Sequence, residues 1–280
     1  MIDQAKAPHT FEVRVLRQSS PGEESYWETH QIEYERGMNV ISVLQRIATK
    51  SEDAKGAPTT PVAWDCNCLE EVCGACTMVV NGRVRQACTA LVDVLLQDET
   101  NYIELRPMTK FPVVRDLVVD RGRMFKALEK VKAWVSVDGY YDLGPGPRQG
   151  RTEQENNYPL SQCMSCGCCL EACPQYTKVE LKQKKNESEE EFEQRKAATY
   201  DQSFIGPHAI RQAVLFNANP TGEMQAGERL DALTAPGGIQ QCGNAQNCVT
   251  VCPKEIPLTT SIAKAGRATT FHTIKKWFDR

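Results

Sequence analysis

Cysteine is the residue type in this sequence that is best suited to bind metal. The chain of 280 residues contains 13 cysteines, and they fall into three groups, at 66–88, 163–173 and 242–252. The first ten residues, MIDQAKAPHT, lack the charged and apolar regions of a signal peptide. In a long chain without an export signal, such groups bind metal more often than they form disulfides. We therefore expect metal centres.

Four cysteines of the first group follow the pattern C-x4-C-x2-C, with the fourth cysteine further along the chain. They are Cys68, Cys73, Cys76 and Cys88. This is the plant-type spacing for a 2Fe–2S cluster. Two irons share two sulfides in such a cluster, so the four thiolates must converge on one small object. Gly74 stands between two of the ligands, where the absence of a Cβ atom permits a tight turn.

Two alternatives for the first group stay open. Cys66 could replace Cys68, but the spacing to Cys73 would then become C-x6-C. We therefore expect Cys66 to be a free, buried thiol, because free cysteine packs as a small apolar residue. A structural zinc site normally uses two C-x2-C pairs, and this group has one.

The second group follows the pattern C-x2-C-x2-C-x3-C-P, through Cys163, Cys166, Cys169, Cys173 and Pro174. This is the run found in bacterial ferredoxins. A protein with two clusters carries the run twice, and the fourth cysteine of each run binds the other cluster. Cys168 lies off this spacing and is predicted to be a spare thiol.

The third group repeats the run 79 residues later, with Ala245 in the position of Cys166. Exchanging the last cysteines predicts a 4Fe–4S cluster and a second site with only three thiolates. The 4Fe–4S ligands are Cys163, Cys166, Cys169 and Cys252. The three remaining ligands are Cys173, Cys242 and Cys248. Because the methyl group of Ala245 cannot bind iron, we expect a 3Fe–4S cluster there; a 4Fe–4S cluster with water on one iron is the alternative.

A small sheet crossed by one helix is predicted to hold the first group. Alternating apolar residues at Phe11–Leu16 indicate a strand, and Trp27–Tyr34 is a second candidate. Asn39 can cap a helix that carries Val40, Val43, Leu44 and Ile47 on one face. Thr77–Val80 followed by Asn81-Gly82 predicts a hairpin, and Tyr102–Leu105 a closing strand. This mixed pattern is typical of a β-grasp fold.

The rest of the chain is predicted to be almost entirely helical. Further helices are expected at Pro207–Asn217, Met224–Leu233 and Pro257–Phe278. Before them, the residues that mark one face of a helix are Leu117, Arg121, Met124, Phe125, Leu128, Val131 and Val135. The fold class is therefore α+β: a β-grasp 2Fe–2S ferredoxin domain over 1–114, then an all-α ferredoxin-like domain over 115–280. The charged segment Lys178–Lys196 is interpreted as a solvated helix or helical hairpin, with a docking arm as the alternative.

Composition excludes several other functions. The net charge of −3 argues against a nucleic-acid-binding protein. No apolar run approaches the roughly 18 residues that span a bilayer, so we expect a protein that is soluble by itself and cytoplasmic. Four scattered histidines, and no Ser/His/Asp arrangement, phosphate-binding loop or paired acids, indicate no catalytic residues. Three cysteine groups in one chain instead predict a relay that passes single electrons.

The sequence closely resembles the iron–sulfur subunit of succinate dehydrogenase and quinol:fumarate reductase, respiratory complex II. The resemblance covers nearly the whole chain, and all eleven ligand positions of the family are cysteine here. The segments that carry it are CLEEVCGAC (68–76), FPVVRDLVVDR (111–121), CMSCGCCLEACP (163–174), LFNANPTG (215–222) and CGNAQNCVTVCPKEIP (242–257).

The resemblance implies the partners and the direction of the relay. A flavoprotein subunit with covalent FAD oxidises succinate to fumarate, a reaction of the tricarboxylic acid cycle. Its electrons pass through the 2Fe–2S, 4Fe–4S and 3Fe–4S clusters to a quinone at a membrane anchor, usually a cytochrome b with haem b. The β-grasp domain would face the flavoprotein, and the helical domain the cytoplasmic side of the membrane. The same relay can run in reverse, as in a fumarate reductase.

Two positions depart from the ubiquinone-linked members of this family. Those members have tryptophan soon after the Cys-Pro pair and histidine after the first cysteine of the last run, where this chain has Gln175-Tyr176-Thr177 and Gly243. These differences favour menaquinone. Lys275, Lys276 and Trp277 suit a membrane interface, although an ordinary terminal helix is the alternative. The competing functions are a soluble thiol-dependent fumarate reductase and a structural zinc protein.

Overall fold

Strand β1, Thr10–Arg17, is an interior strand of a five-stranded sheet, and its apolar residues alternate along the sequence. Phe11, Val13 and Val15 point into the core and are fully buried. β1 pairs antiparallel with β2 (Tyr26–Glu33) and parallel with β5 (Tyr102–Arg106). The computed structural model describes residues 9–97, 101–136 and 147–279. Residues 1–8, which belong to the segment predicted not to be a signal peptide, lie outside the described residues.

Helix α1, Val40–Lys50, crosses the sheet as predicted. The Oδ1 atom of Asn39 accepts a hydrogen bond from the N–H of Ser42 at 2.9 Å and caps its first turn. The face of α1 that was predicted from the apolar spacing is buried in the same core as β1. The helix therefore supplies one side of the hydrophobic core of the mixed sheet.

The hairpin of β3 (Thr77–Val80) and β4 (Arg83–Gln86) follows the 2Fe–2S spacing directly. Asn81 and Gly82 form its two-residue turn with φ values of 47° and 74°, as a type I′ turn requires. The sheet order is β2-β1-β5-β3-β4. The predicted β-grasp sheet is confirmed, since a mixed five-stranded sheet is crossed by α1.

The helix expected from Leu117 to Val135 was predicted too long. A two-stranded hairpin, β6 (Val113–Arg115) and β7 (Val118–Val119), precedes it, and helix α3 covers only Gly122–Lys130. Valine favours strands, and Asp116 adopts a left-handed φ of 47° at the turn. Phe125, assigned to the buried face, is instead 54% exposed. The short helix α2, Val92–Leu95, lies earlier, between β4 and β5.

The second half is helical, as predicted. Its helices are α4 (Arg151–Ser161), α5 (Cys168–Glu171), α6 (Glu189–Gln202), α7 (Gly206–Asn217), α8 (Ala226–Thr234), α9 (Asn247–Thr250) and α10 (Leu258–Phe278). α7 is the most buried of them and packs against α3, α4, α8 and α10. α4 was not predicted, because its sequence is polar, contains Pro159 and buries only Leu160.

The charged segment forms a solvated helix in part. α6 begins at Glu189 with a capping box between Ser188 and Glu191, and it has no buried residue. The residues before Ser188 are not helical. A helix that has no apolar face is stabilised mainly by its cap and by local charge pairs.

The chain divides into two compact units. Unit 1 comprises the described residues up to Asp120 together with Met164–Glu171. Unit 2 comprises the described residues of Arg121–Cys163 and Ala172–Arg280. Within the described ranges, no helix is both long and apolar enough to cross a membrane.

Candidate metal centres

Backbone N–H groups surround the sulfur of Cys68 in unit 1. The N–H groups of Glu70, Val72 and Cys73 donate to its Sγ atom at 3.4, 3.3 and 3.3 Å. Together they lower the pKa of the Cys68 thiol to about 7, with the contribution of Glu70 the largest. Thiolate is the form of cysteine that binds metal, so this loop is already organised to stabilise the ligand form.

The backbone of this loop explains how its N–H groups converge. Leu69 and Glu71 adopt left-handed φ values of 60° and 54°, although neither is glycine. Alternation between left- and right-handed residues turns successive N–H groups toward one point and creates an anion-binding concavity, as found at many iron–sulfur sites. The loop therefore carries the backbone strain that such a site requires.

The four thiols predicted to bind the 2Fe–2S cluster lie together. Cys73 is within hydrogen-bonding reach of Cys68, and Cys76 of Cys88. Burial raises the pKa of Cys88 to about 11, against the effect of a hydrogen bond from the backbone of Glu71. Asn39, the cap of α1, donates from Nδ2 to the carbonyl oxygen of Cys88 at 2.9 Å. The cap of α1 thus holds Cys88, the predicted ligand that comes from beyond the hairpin.

The prediction that Cys66 is buried was wrong. Its side chain is exposed, as are those of Asp65 and Asn67 on either side. This stretch approaches the cluster loop along the surface as an irregular segment. An apolar packing role for the thiol is therefore excluded.

The internal repeat predicted from the cysteines recurs in the local backbone. Ser165 and its counterpart Asn244 both have a φ of 52°. Gly167 and its counterpart Gln246 are also left-handed, with φ values of 88° and 62°. Helices α5 and α9 begin and end at corresponding residues. The two runs thus fold alike, even where the second uses Asn and Gln at left-handed positions.

Three cysteines of the second run meet in unit 1. Cys168 is buried and within hydrogen-bonding reach of Cys166, and it also experiences the charge of Cys169. The contact with Cys166, followed by burial, raises the pKa of Cys168. Cys163 and Cys252, the other two predicted ligands, belong to unit 2. The four-cysteine set for the 4Fe–4S cluster stays a prediction.

The third set lines a cavity of unit 2. Cys173, Cys242 and Cys248 all face this cavity, and so does Ala245. Burial raises the pKa of Cys248, and the charges of Cys173 and Cys242 raise it further, so the three sulfurs are close neighbours. A site with three thiols and one methyl group is the donor set predicted for a 3Fe–4S cluster.

Amide side chains border the same cavity. Asn247 donates from Nδ2 to the carbonyl oxygen of Ala172 at 3.1 Å, which ties the residue before Cys173 to helix α9. A Cβ atom on Gly243 would lie only 2.7 Å from Nε2 of Gln175. Gln175, the first residue of the stretch 175–177, therefore lies directly beside Gly243. A side chain at 243 would require Gln175 to move.

The donor chemistry of the first and third sets fits iron–sulfur clusters. Within the described residues, no group of three or more His, Cys, Asp or Glu side chains is arranged to hold one metal ion. A cluster is larger than an ion, because sulfide ions bridge its irons, so its thiolates need not converge on one point. The first set supplies four thiols and an N–H-lined loop, and the third supplies three thiols.

Comparison with known proteins decides the family. Residues 12–126 match the family model described as "2Fe-2S iron-sulfur cluster binding domain", and residues 159–256 match the "4Fe-4S dicluster domain". The chain is 49% identical over 269 residues to the succinate dehydrogenase iron–sulfur subunit of Bacillus subtilis (strain 168), covering 96% of each protein. The chain belongs to the family of succinate dehydrogenase iron–sulfur subunits.

More distant members of the family agree with this assignment. The fumarate reductase iron–sulfur subunit of Haemophilus influenzae is 27% identical over 262 residues, 89% of each chain. The solved "Mycobacterium smegmatis Sdh1 complex in the apo form" includes a chain with a TM-score of 0.69 and 21% identity, which covers 94% of this chain and 96% of that one. That structure supports the fold. As a succinate dehydrogenase iron–sulfur subunit, the chain is a component of an oxidoreductase complex with other subunits.

Two residues beside the cysteines of this iron–sulfur subunit were missed in the sequence. Glu171, on α5, accepts hydrogen bonds from the N–H and hydroxyl of Thr109 at 2.9 and 2.6 Å and from the N–H of Lys110 at 3.0 Å. Gln86, at the end of β4, donates to Cys168 at 3.4 Å. Neither contact has a spacing signal, because the partners are 62 and 82 residues apart in the chain.

Two histidines of the subunit, His30 and His208, are buried. His30 contacts Glu28 at 2.8 Å and the carbonyl oxygen of Glu52 at 3.0 Å. Burial, with a smaller contribution from Arg211, lowers the pKa of His208 to about 3. His208 is therefore neutral at physiological pH.

Proposed function

We propose that this subunit relays single electrons between a flavoprotein that oxidises succinate to fumarate and a quinone. The supporting observation is the cavity in unit 2 that is lined by Cys173, Cys242, Cys248 and Ala245. Three thiols with a methyl group in the fourth place fit a 3Fe–4S cluster, whereas a structural zinc site normally has four ligands. Iron–sulfur clusters accept and release one electron at a time over a wide range of potentials.

Each group of residues has a distinct role in this proposal. Cys68, Cys73, Cys76 and Cys88 hold a 2Fe–2S cluster, and the N–H groups around Cys68 stabilise its thiolate. Cys163, Cys166, Cys169 and Cys252 hold a 4Fe–4S cluster. Cys173, Cys242 and Cys248 hold a 3Fe–4S cluster. The domain boundary between 114 and 115 is part of the same proposal.

The partners follow from the two ends of the relay. We propose a flavoprotein subunit with covalent FAD at one end, and a membrane anchor of the cytochrome b type, with haem b, at the other. The subunit would then lie on the cytoplasmic face of the membrane, held there by the anchor. Isolation of the subunit from its own cells under mild detergent tests this arrangement. Flavin and haem should copurify with it, and a preparation that contains zinc without acid-labile sulfide would exclude the relay.

Menaquinone is the proposed quinone. Support comes from the stretch Gln175-Tyr176-Thr177 and from Gly243, the two places where the sequence differs from the ubiquinone-linked members. Gln175 lies directly beside Gly243. Rates of succinate-dependent reduction of menaquinone and ubiquinone analogues by the isolated complex test this point. The proposal fails if the ubiquinone analogues are reduced far faster. The same preparation measures fumarate reduction with reduced quinone, which is the reverse function.

A further inference from the structure

Cys168 is the fifth cysteine of the second run, and it lies off the ligand spacing. Its side chain is only 1% exposed, yet it does not pack as a purely apolar group. Gln86 donates from Nε2 to its Sγ atom at 3.4 Å, and Gln86 is itself 1% exposed. Cys168 also lies within hydrogen-bonding reach of Cys166, a proposed 4Fe–4S ligand.

The direction of these hydrogen bonds can be followed from atom to atom. The hydroxyl of Thr77 donates to the carbonyl oxygen of Gly74 at 2.8 Å, so its oxygen is left to accept from Nε2 of Gln86 at 2.9 Å. This fixes the amide so that its NH₂ group faces both Thr77 and Cys168. Because Cys168 accepts from Gln86, its own S–H proton is directed elsewhere, and Cys166 is the neighbouring acceptor.

This series of hydrogen bonds begins in the loop that is predicted to hold the first cluster. Gly74 stands between Cys73 and Cys76, and its backbone touches Cys166: a Cβ atom on Gly74 would lie 2.7 Å from the Cβ atom of Cys166. All of these residues belong to unit 1. A directional chain of buried hydrogen bonds thus runs from the 2Fe–2S loop to a ligand of the next proposed cluster.

We propose that Cys168 is a positioning residue that donates an S–H···S hydrogen bond to the sulfur of Cys166 and thereby raises the reduction potential of the 4Fe–4S cluster. The inference rests on the proposed function, since Cys166 must be a ligand. Reduction adds negative charge to the cluster and its thiolates, so a donor to a ligand sulfur stabilises the reduced state. Gln86 orients the donor, and a buried network of this kind is not disturbed by competing water.

Two substitutions at Cys168 separate hydrogen bonding from packing. The measurement is a redox titration of the isolated complex, followed by low-temperature EPR. In Cys168→Ala the donor is lost, and the midpoint of the 4Fe–4S signal should fall, by up to about tenfold in the one-electron equilibrium constant, or 59 mV. In Cys168→Ser a stronger O–H donor replaces S–H, so the midpoint should stay at or above that of the wild type. The 2Fe–2S and 3Fe–4S midpoints should not move.

Gln86 supplies an independent arm of the experiment. Gln86→Leu should lower the same midpoint by less than Cys168→Ala, because the thiol remains but is no longer oriented. Adding Gln86→Leu to Cys168→Ala should give no further shift, since the two residues act through one hydrogen bond. Cys66→Ala, which removes the exposed spare thiol, is the matched control and should leave all three midpoints unchanged.

The outcomes distinguish this inference from the proposed function. Equal shifts of the same sign in Cys168→Ala and Cys168→Ser would indicate packing and overturn the role of the donor. An unchanged midpoint in Cys168→Ala would also overturn the role of Cys168. In that case, a 4Fe–4S signal from the wild-type complex would still support the proposed relay. If the wild-type complex contains no 4Fe–4S cluster, the relay and this inference both fail.

Discussion

Among the predicted ligand positions, Ala245 is the one that distinguishes the third cysteine group from the second. It occupies the position of Cys166 in a run whose backbone otherwise follows the same conformation. Ala245 lines the cavity beside three cysteines, so a thiol placed there would face the same space. The side chain at position 245 therefore decides whether this cavity offers three thiols or four.

Ala245→Cys should convert the 3Fe–4S cluster into a 4Fe–4S cluster. The fourth thiolate would bind the iron that the methyl group cannot hold. EPR of the oxidised protein measures the change: the isotropic 3Fe–4S signal should disappear, and a signal of the 4Fe–4S type should appear on reduction. Ala245→Val, which adds volume without a donor, is the control and should keep the 3Fe signal. Retention of that signal in the Cys variant would show that the repeats were paired wrongly.

Gly74 and Gly82 allow backbone strain to be separated from close approach. Both are left-handed, with φ values of 71° and 74°, but only Gly74 faces a neighbour within 4 Å, the backbone and Cβ of Cys166. Gly82→Ala should cost about 1–2 kcal/mol from the left-handed conformation alone. Gly74→Ala should cost more and displace Cys166, so iron and acid-labile sulfide per chain should fall. Equal iron content in the two variants would contradict the close approach.

The ligand residues are predicted from the sequence because the spacing within each cysteine run is local. Loops that bind clusters place several ligands within a few residues, so the pattern stays visible in the chain. The contacts of Gln86 and Glu171 could not be predicted, because the fold alone brings such distant residues together. Cys66 was misjudged for a related reason: a free cysteine carries no sign of whether the loop around it lies inside or on the surface.

At the scale of elements, a buried ion pair joins β1 to the β6–β7 turn. Arg17 donates from Nε to Oδ1 of Asp116 at 2.9 Å and from a terminal nitrogen to Oδ2 at 3.2 Å, and both side chains are at most 2% exposed. Asp116 also accepts from the N–H of Ala63 at 2.8 Å. The network therefore positions the segment that leads into the first cluster loop.

Arg17→Met should destabilise unit 1 by about 3–5 kcal/mol, because the carboxylate of Asp116 would be left buried without its partner. Arg14→Met is the matched control on the same strand, since Arg14 pairs with Glu12 at the surface. Its loss should change the stability of β1 much less, because this pair is screened by solvent. Amide hydrogen exchange in β1 measures both free energies of opening. Similar values for the two variants would show that the buried pair is not a main support of this unit.

The ion pair between Glu187, which precedes helix α6, and Arg195 on that helix should be lost in acid. Hydrogen bonds from Arg195 and from the backbone of Lys184 lower the pKa of Glu187 from 4.5 to about 2. A carboxylate with a lowered pKa contributes stability that is complete above pH 4.5 and disappears as the pH falls toward 2. NMR titration of the Glu187 carboxyl group should therefore give a midpoint near 2. Arg195→Gln should return it toward 4.5, and an unchanged midpoint in that variant would rule out Arg195 as the main cause.

Secondary structure was predicted well where one face is buried and poorly where it is not. α1 and the β3–β4 hairpin followed from an apolar pattern with a cap or an Asn-Gly turn. α4 was missed because its exposed sequence has no apolar period. The helix was predicted to begin too early, at Leu117, because Leu117 fits the helical spacing of Met124 and Leu128, and the β6–β7 turn at Asp116 depends on its distant partner Arg17.

At the scale of the whole molecule, the chain is a component of a larger oxidoreductase. The described residues include no helix that could span a membrane. The first half of α10 is buried through Leu258, Ser261, Ala265 and Thr269. The end of α10 is different: Phe271, Trp277 and Phe278 are 60–74% exposed. The proposed relay needs a partner at each end, and it requires that this subunit itself contain the three iron–sulfur clusters.

EPR spectroscopy of the anaerobically isolated complex, with iron and acid-labile sulfide measured on the same sample, tests for these three clusters. We expect three signals: a 2Fe–2S and a 4Fe–4S signal on reduction, and an isotropic 3Fe–4S signal in the oxidised state. Iron should greatly exceed zinc, and sulfide should be present in comparable amount. Zinc without sulfide, or an oxidised sample without the isotropic signal, would contradict the account.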